Sequence, residues 1–75
     1  MKSKPETPFL DSVAKRVAQL RHEHGLTQEQ LADRSGLDRV VLANIETGIR
    51  RPTVTTMYRL AEGMGVKVEE FFRGL

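Results

Sequence analysis

The sequence predicts an all-α fold of five short helices around one core. Two observations carry this. Apolar residues recur at helical spacing in successive segments. Thr27, Asp38 and Thr53 stand where helices begin, and glycines stand where they end. No stretch alternates apolar and polar residues long enough to make a strand.

Residues 1–8 read as a loose, flexible arm. Pro5 and Pro8 oppose helix, and Lys2, Ser3, Lys4, Glu6 and Thr7 show no periodicity. The folded domain is expected over 9–75. Its first helix runs from Phe9 to His24, with Phe9, Val13, Val17 and Leu20 inward and Ala14 and Ala18 beside them; Gly25 stops it. Thr27 caps the second helix, and Gln30 is placed to complete a capping box. Leu31 and Ala32 give this helix its inner side, and Ser35-Gly36 interrupts it at a sharp turn. Leu37 plugs the corner. Asp38 caps a third helix over about 38–47, with Leu42 and Ile45 inward, and Gly48 ends it. After the loop Gly48-Ile49-Arg50-Arg51-Pro52, Thr53 caps a fourth helix running to about Gly63, with Val54, Met57, Leu60 and Ala61 inward and Met64 closing its end. Gly65 breaks the chain. Val66 to Phe72 then makes a fifth short helix that turns Val68, Phe71 and Phe72 inward. Val41 fits either a half-exposed site or the core.

The second and third helices, joined by a short turn containing Gly, form the helix-turn-helix pattern, whose second helix can enter a DNA major groove. Bulk composition allows this reading without establishing it. The chain has 75 residues, a net charge of +2 and a pI of about 9.4, so it makes one small domain of mildly basic character. Arg50, Arg51 and Arg59 gather just after the third helix, while Glu62, Glu69 and Glu70 lie toward the C-terminus. There is no cysteine, hence no disulfide or thiolate-metal site. Without an apolar run of about 20 residues or a signal segment, the expected setting is cytoplasmic, with no membrane. His22 and His24 stand two apart, so they do not share a helix face, and no third metal ligand accompanies them. No nucleophile, base and acid can be grouped either, and neither an enzyme nor a cofactor is expected.

Arg21 before Gly25-Leu26-Thr27-Gln28, then Leu31-Ala32, Gly36-Leu37, Ile45-Glu46-x-Gly48, Pro52, Leu60-Ala61, Gly65-Val66 and Phe71-Phe72 occur in one order and spacing. With these landmarks the chain resembles the lambda-repressor-like helix-turn-helix family of Cro and phage repressors, the XRE type, over about residues 13–72. Its size is similar to restriction-modification controller proteins and stand-alone phage-type regulators. Two positions depart from the family pattern. Lys67 stands where Ser, Thr or Asp usually caps the last helix, and Ala43 replaces a common serine of the recognition helix.

Arg39, Val40, Ala43, Asn44 and Thr47 project from the third helix opposite Leu42 and Ile45. Arg39 can bond guanine O6 and N7, Asn44 can bond adenine N6 and N7, and Val40 and Ala43 can pack on a thymine methyl. Arg39 equally suits a phosphate or plain surface charge. The resemblance places bases near 39, 40 and 44 and phosphate near 47. Gln28, at the start of the second helix, suits a phosphate oxygen, and the resemblance has it also brace the recognition helix. Arg50 and Arg51 are candidate phosphate clamps or solvated loop charges, and Thr53 is an N-cap whose helix end can face phosphate. Lys2 and Lys4 fit a groove-tracking arm or a simple tail. The resemblance pairs Arg21 with Glu46 as a structural ion pair, although Arg21 has donors enough for phosphate as well. It also implies an RNA polymerase contact for Glu29 and Asp33. The helix dipole alone favours acidic residues there.

These readings imply a sequence-specific DNA-binding transcriptional regulator. One recognition helix reads only a few base pairs, so a homodimer on a near-palindromic operator is expected. Met64, Val66, Phe71 and Phe72 are its candidate interface residues, and they serve equally well to complete the protomer core. The alternative is an antitoxin or another protein-interaction module with autoregulatory DNA binding. Nothing resembles a ligand-binding domain, so control through dimer concentration is the expectation.

Overall fold

A computed structural model describes residues 6–75, and the expected roles of Lys2 and Lys4 fall outside that range. The chain forms α1 (Thr7–Glu23), α2 (Gln28–Ser35), α3 (Arg39–Glu46), α4 (Val54–Met64) and a C-terminal 3-10 helix (Val68–Phe72). Four α-helices and one 3-10 helix therefore replace the five helices expected. The last segment is short, and Lys67 at its N-cap position supplies no side-chain bond. A run of five residues without a capping acceptor suits the tighter 3-10 form.

Pro8 does not end the arm as expected; it lies in the first turn of α1. No intrahelical partner exists there for the N–H that proline lacks, and its fixed φ suits a helix start. The helix accordingly begins two residues before Phe9.

α2 packs chiefly on α4 and on α3, while α1 packs on the 3-10 helix and on α3. Val17, Leu31, Leu42, Leu60 and Phe71 are sealed at the centre. Leu37 and Val41 are half-buried against them, so Val41 belongs to the rim of the core. Three expected inward residues, Phe9, Val54 and Phe72, are instead exposed. Phe9 lies beyond the core at the start of α1, where its ring stacks on Phe72 at a centroid distance of 6.2 Å. Val54 opens α4 in its first turn and is 82% exposed.

The packing of α2 on α4 requires Gly63. A Cβ there would stand 2.5 Å from Ser35 Oγ and 3.1 Å from Leu31 Cδ1. Among the described residues, Ser35 Oγ is itself buried without a hydrogen-bond partner.

Candidate nucleic-acid interface

The helix-turn-helix is built from local bonds. Thr27 Oγ1 accepts from the Gln30 N–H at 3.1 Å, and the Thr27 N–H donates to Gln30 Oε1 at 2.9 Å, closing the capping box. Gly36 turns the chain with φ of 69°, a left-handed conformation that favours glycine. Asp38 then accepts from the Val40 N–H at 2.9 Å and starts α3.

Leu42 and Ile45 bury one side of α3 and thereby fix its opposite side toward solvent. Arg39 is exposed, Val40 is 54% exposed, and Ala43 and Asn44 are half-buried. These four residues mark a stripe along one short helix. Arginine and asparagine donors with an exposed methyl-bearing residue are side-chain types that can meet base edges in a major groove.

A polar network holds this helix in place. Arg21 Nε donates to Glu46 Oε2 at 2.7 Å, and Arg21 Nη2 donates to Glu46 Oε1 at 3.0 Å. Gln28 Nε2 donates to the same Oε1 at 3.0 Å, and Arg21 Nη1 donates to the Leu26 carbonyl at 2.8 Å. One carboxylate at the end of α3 thus gathers α1 and the first residue of α2. Each oxygen accepts at least one charged donor, which offsets the cost of burying the ions.

The remaining site residues divide by whether their hydrogen-bond donors are occupied. Thr47 Oγ1 lies within bonding distance of the Ala43 and Asn44 carbonyls, at 3.1 and 3.2 Å, so its hydroxyl hydrogen is turned inward. Thr53 caps α4 by accepting from the Thr56 N–H, and its hydroxyl donates to Thr56 Oγ1 at 3.0 Å. Arg50 and Arg51 are exposed on the loop after α3, which the Arg50 N–H ties back to the Asn44 carbonyl at 3.0 Å. Neither arginine side chain enters an ion pair among the described residues. Glu29 and Asp33 are exposed on α2.

Two residues considered either for dimer contact or for the protomer core take the second place. Met64 and Phe71 are sealed in the protomer core, because the turn at Gly65 folds the 3-10 helix back against α1 and α4. Their side chains are closed to a second copy. Val66 is half-buried, and Phe72 is 39% exposed. An arginine the sequence did not single out holds this segment down. Arg16 Nε donates to the Glu70 carbonyl at 2.9 Å, and Nη2 meets the Glu70 carboxylate at 3.4 Å. The two residues are too far apart in sequence for any local pattern to announce the pair.

His24 Nδ1 donates to the Leu20 carbonyl at 2.8 Å and closes the end of α1. Among the described residues, no helix is long and apolar enough to cross a membrane.

The helix-turn-helix family model matches residues 17–71. An uncharacterized HTH-type transcriptional regulator of Sinorhizobium fredii, y4dJ, is 48% identical over 54 residues, covering 72% of this chain and 70% of that protein. The immunity repressor protein of Bacillus phage phi105 is 37% identical over 57 residues, 76% of this chain but only 40% of the repressor. The restriction-modification controller protein C.AhdI of Aeromonas hydrophila superposes with a TM-score of 0.84 at 34% identity, over 87% of this chain and 98% of the controller. The chain belongs to the helix-turn-helix family, in which its relatives are HTH-type transcriptional regulators.

Proposed function

We propose that this protein is a sequence-specific DNA-binding transcriptional regulator that reads a near-palindromic operator as a homodimer in the cytoplasm. The observation that carries this reading is the solvent-facing stripe of α3. Arg39, Val40, Ala43 and Asn44 lie on it, and Glu46 at its end is anchored by Arg21 and Gln28.

In this reading Arg39 and Asn44 bond base edges, and Val40 and Ala43 cover a thymine methyl. Arg50 and Arg51 hold phosphates on one side of α3. Gln28, with one amide hydrogen bonded to Glu46, offers the other to a phosphate. The free first-turn N–H groups of α4 beside Thr53 add a further contact. Thr47 joins them only by releasing a backbone carbonyl.

With Met64 and Phe71 enclosed, the second copy is given the outer stripe of α4, where Val54 and Tyr58 are 82% and 54% exposed, together with Val66 and Phe72. Glu29 and Asp33 are left free on α2 for RNA polymerase.

The test is selection from random duplex DNA, comparing the wild type with Arg39→Ala and Asn44→Ala. A two-fold-symmetric motif whose base preferences relax in the variants is expected. No enriched motif, at a salt concentration that suppresses non-specific binding, overturns the reading and turns attention to a protein partner such as a toxin.

A further inference from the structure

An open cleft of about 170 Å³ lies between the start of α1, the loop after α3 and the C-terminal 3-10 helix. Its floor is core: Val17, Ile45 and Met57 are all buried. The stacked rings of Phe9 and Phe72 form one wall and stay 47% and 39% exposed. Arg50 and Arg51, both exposed, stand on the rim of the cleft. Asp11 shares that rim, with Oδ1 3.2 Å from where a Cβ on Gly48 would sit. Two guanidinium groups against one carboxylate leave the rim net positive.

An apolar concavity with a few polar groups at its mouth is the usual form of a small-molecule site. Protein interiors ordinarily close such space, since lining atoms without neighbours forfeit dispersion contacts. The floor accepts a hydrocarbon or aromatic body, and the arginines accept an anion by charge-assisted, bidentate hydrogen bonds. An engineered apolar cavity of about 150 Å³ is large enough for benzene, which sets the scale of the occupant.

We infer that the cleft binds a small amphiphilic carboxylate, with its chain or ring over Val17, Ile45 and Met57 and its carboxylate on Arg50 and Arg51. Resting on the function proposed above, the same arginines hold operator phosphate, so carboxylate and operator compete. The helix-turn-helix domain then carries an effector site of its own.

Octanoate is a suitable probe, with acetate at equal concentration controlling for ionic strength. Titrated into the protein without DNA and followed by NMR, octanoate is expected to give saturable shifts at Ile45, Val17, Phe9 and Phe72. Arg50→Gln with Arg51→Gln weakens that binding by about tenfold or more, as loss of charged hydrogen bonds implies. Ala14→Leu, which fills the floor from a buried position lining the cleft, abolishes octanoate binding while the α3 stripe stays intact. If thermal melting shows that this variant is unfolded, Phe9→Ala replaces it and is expected to weaken octanoate binding by removing a wall.

Operator affinity falls in step with octanoate occupancy and is unchanged by acetate. Absent or non-saturating shifts overturn the site. Shifts confined to the α4 stripe, with a change in sedimentation, overturn it in favour of contact between copies. Saturable binding in the cleft with undiminished operator affinity overturns the competition. Failure to bind any operator without octanoate strikes the proposed function instead, and the DNA-free titration still decides the cleft.

Discussion

Arg21 and Glu46 meet through two parallel hydrogen bonds of 2.7 and 3.0 Å, with side chains only 8% and 5% exposed. The pair joins α1 to the last residue of α3. Because Gln28 donates to the same carboxylate, the pair ties the first residue of α2 and the last of α3 to α1. Removing one partner strands a buried charge. Glu46→Leu should lower the free energy of urea unfolding by about 3 kcal/mol or more, and Arg21→Met by a similar amount. Arg21→Met with Glu46→Leu should recover much of the loss, because an apolar pair leaves no stranded ion. If the double variant is as unstable as the sum of the singles, the coupling assigned to this pair is wrong.

Gly63 should resist the usual stabilisation from alanine in a helix. Alanine is the better helix former by about 1 kcal/mol, yet its Cβ would meet Ser35 Oγ at 2.5 Å and Leu31 Cδ1 at 3.1 Å. Gly63→Ala is expected to destabilise by about 1–3 kcal/mol through overpacking of α2 on α4. Ser35→Ala should be neutral or stabilising, because the hydroxyl it removes is buried without a partner. Combining the two should relieve part of the crowding, so denaturation midpoints should show a double variant more stable than additivity predicts.

Features set by neighbouring residues were legible in the sequence. The caps at Thr27, Asp38 and Thr53 use side chains within three positions of their partners, and all three form. The solvent-facing side of α3 followed from the burial of Leu42 and Ile45. Helical spacing identifies a stripe but not where the packing partner ends. Phe9 and Val54 continue the apolar pattern past the limit of the core and emerge into solvent. Pro8 was misread because a helix-breaking residue is harmless in a first turn. Gly63 resembles a weak helix position until α2 is laid against it. The clamp of Arg16 on Glu70 depends wholly on tertiary folding.

Tyr58 offers a spectroscopic check on α4. Its hydroxyl donates to Glu62 Oε2 at 2.6 Å, and this hydrogen bond, followed by repulsion from the carboxylate, raises its pKa above the ordinary tyrosine value. The chain has a single tyrosine and no tryptophan, so phenolate absorbance reports Tyr58 alone. The titration midpoint should lie above that of the urea-unfolded chain, and Glu62→Gln should bring the two closer. The raised folded-state value also fixes a sign. Its contribution to stability is complete below the unfolded pKa and is lost as pH rises through the folded one. Coincident midpoints for folded and unfolded protein would mean the bond does not persist in solution.

Salt dependence can count the arginines at the DNA and the number of subunits together. If Arg50 and Arg51 each hold one phosphate, each side chain removed should lower the slope of log affinity against log salt by about 0.9. In a homodimer every substitution removes two contacts, so Arg50→Gln should reduce the slope by about 1.8. It should weaken cognate and unrelated duplexes alike, since a phosphate carries no base identity. Asn44→Ala should behave oppositely, losing about 1–3 kcal/mol per protomer on the cognate duplex with the slope unchanged. Fluorescence anisotropy across a salt series measures both quantities. A slope change near 0.9 for Arg50→Gln would mean that only one protomer of the bound species uses this loop, which is incompatible with two symmetric copies on a palindrome.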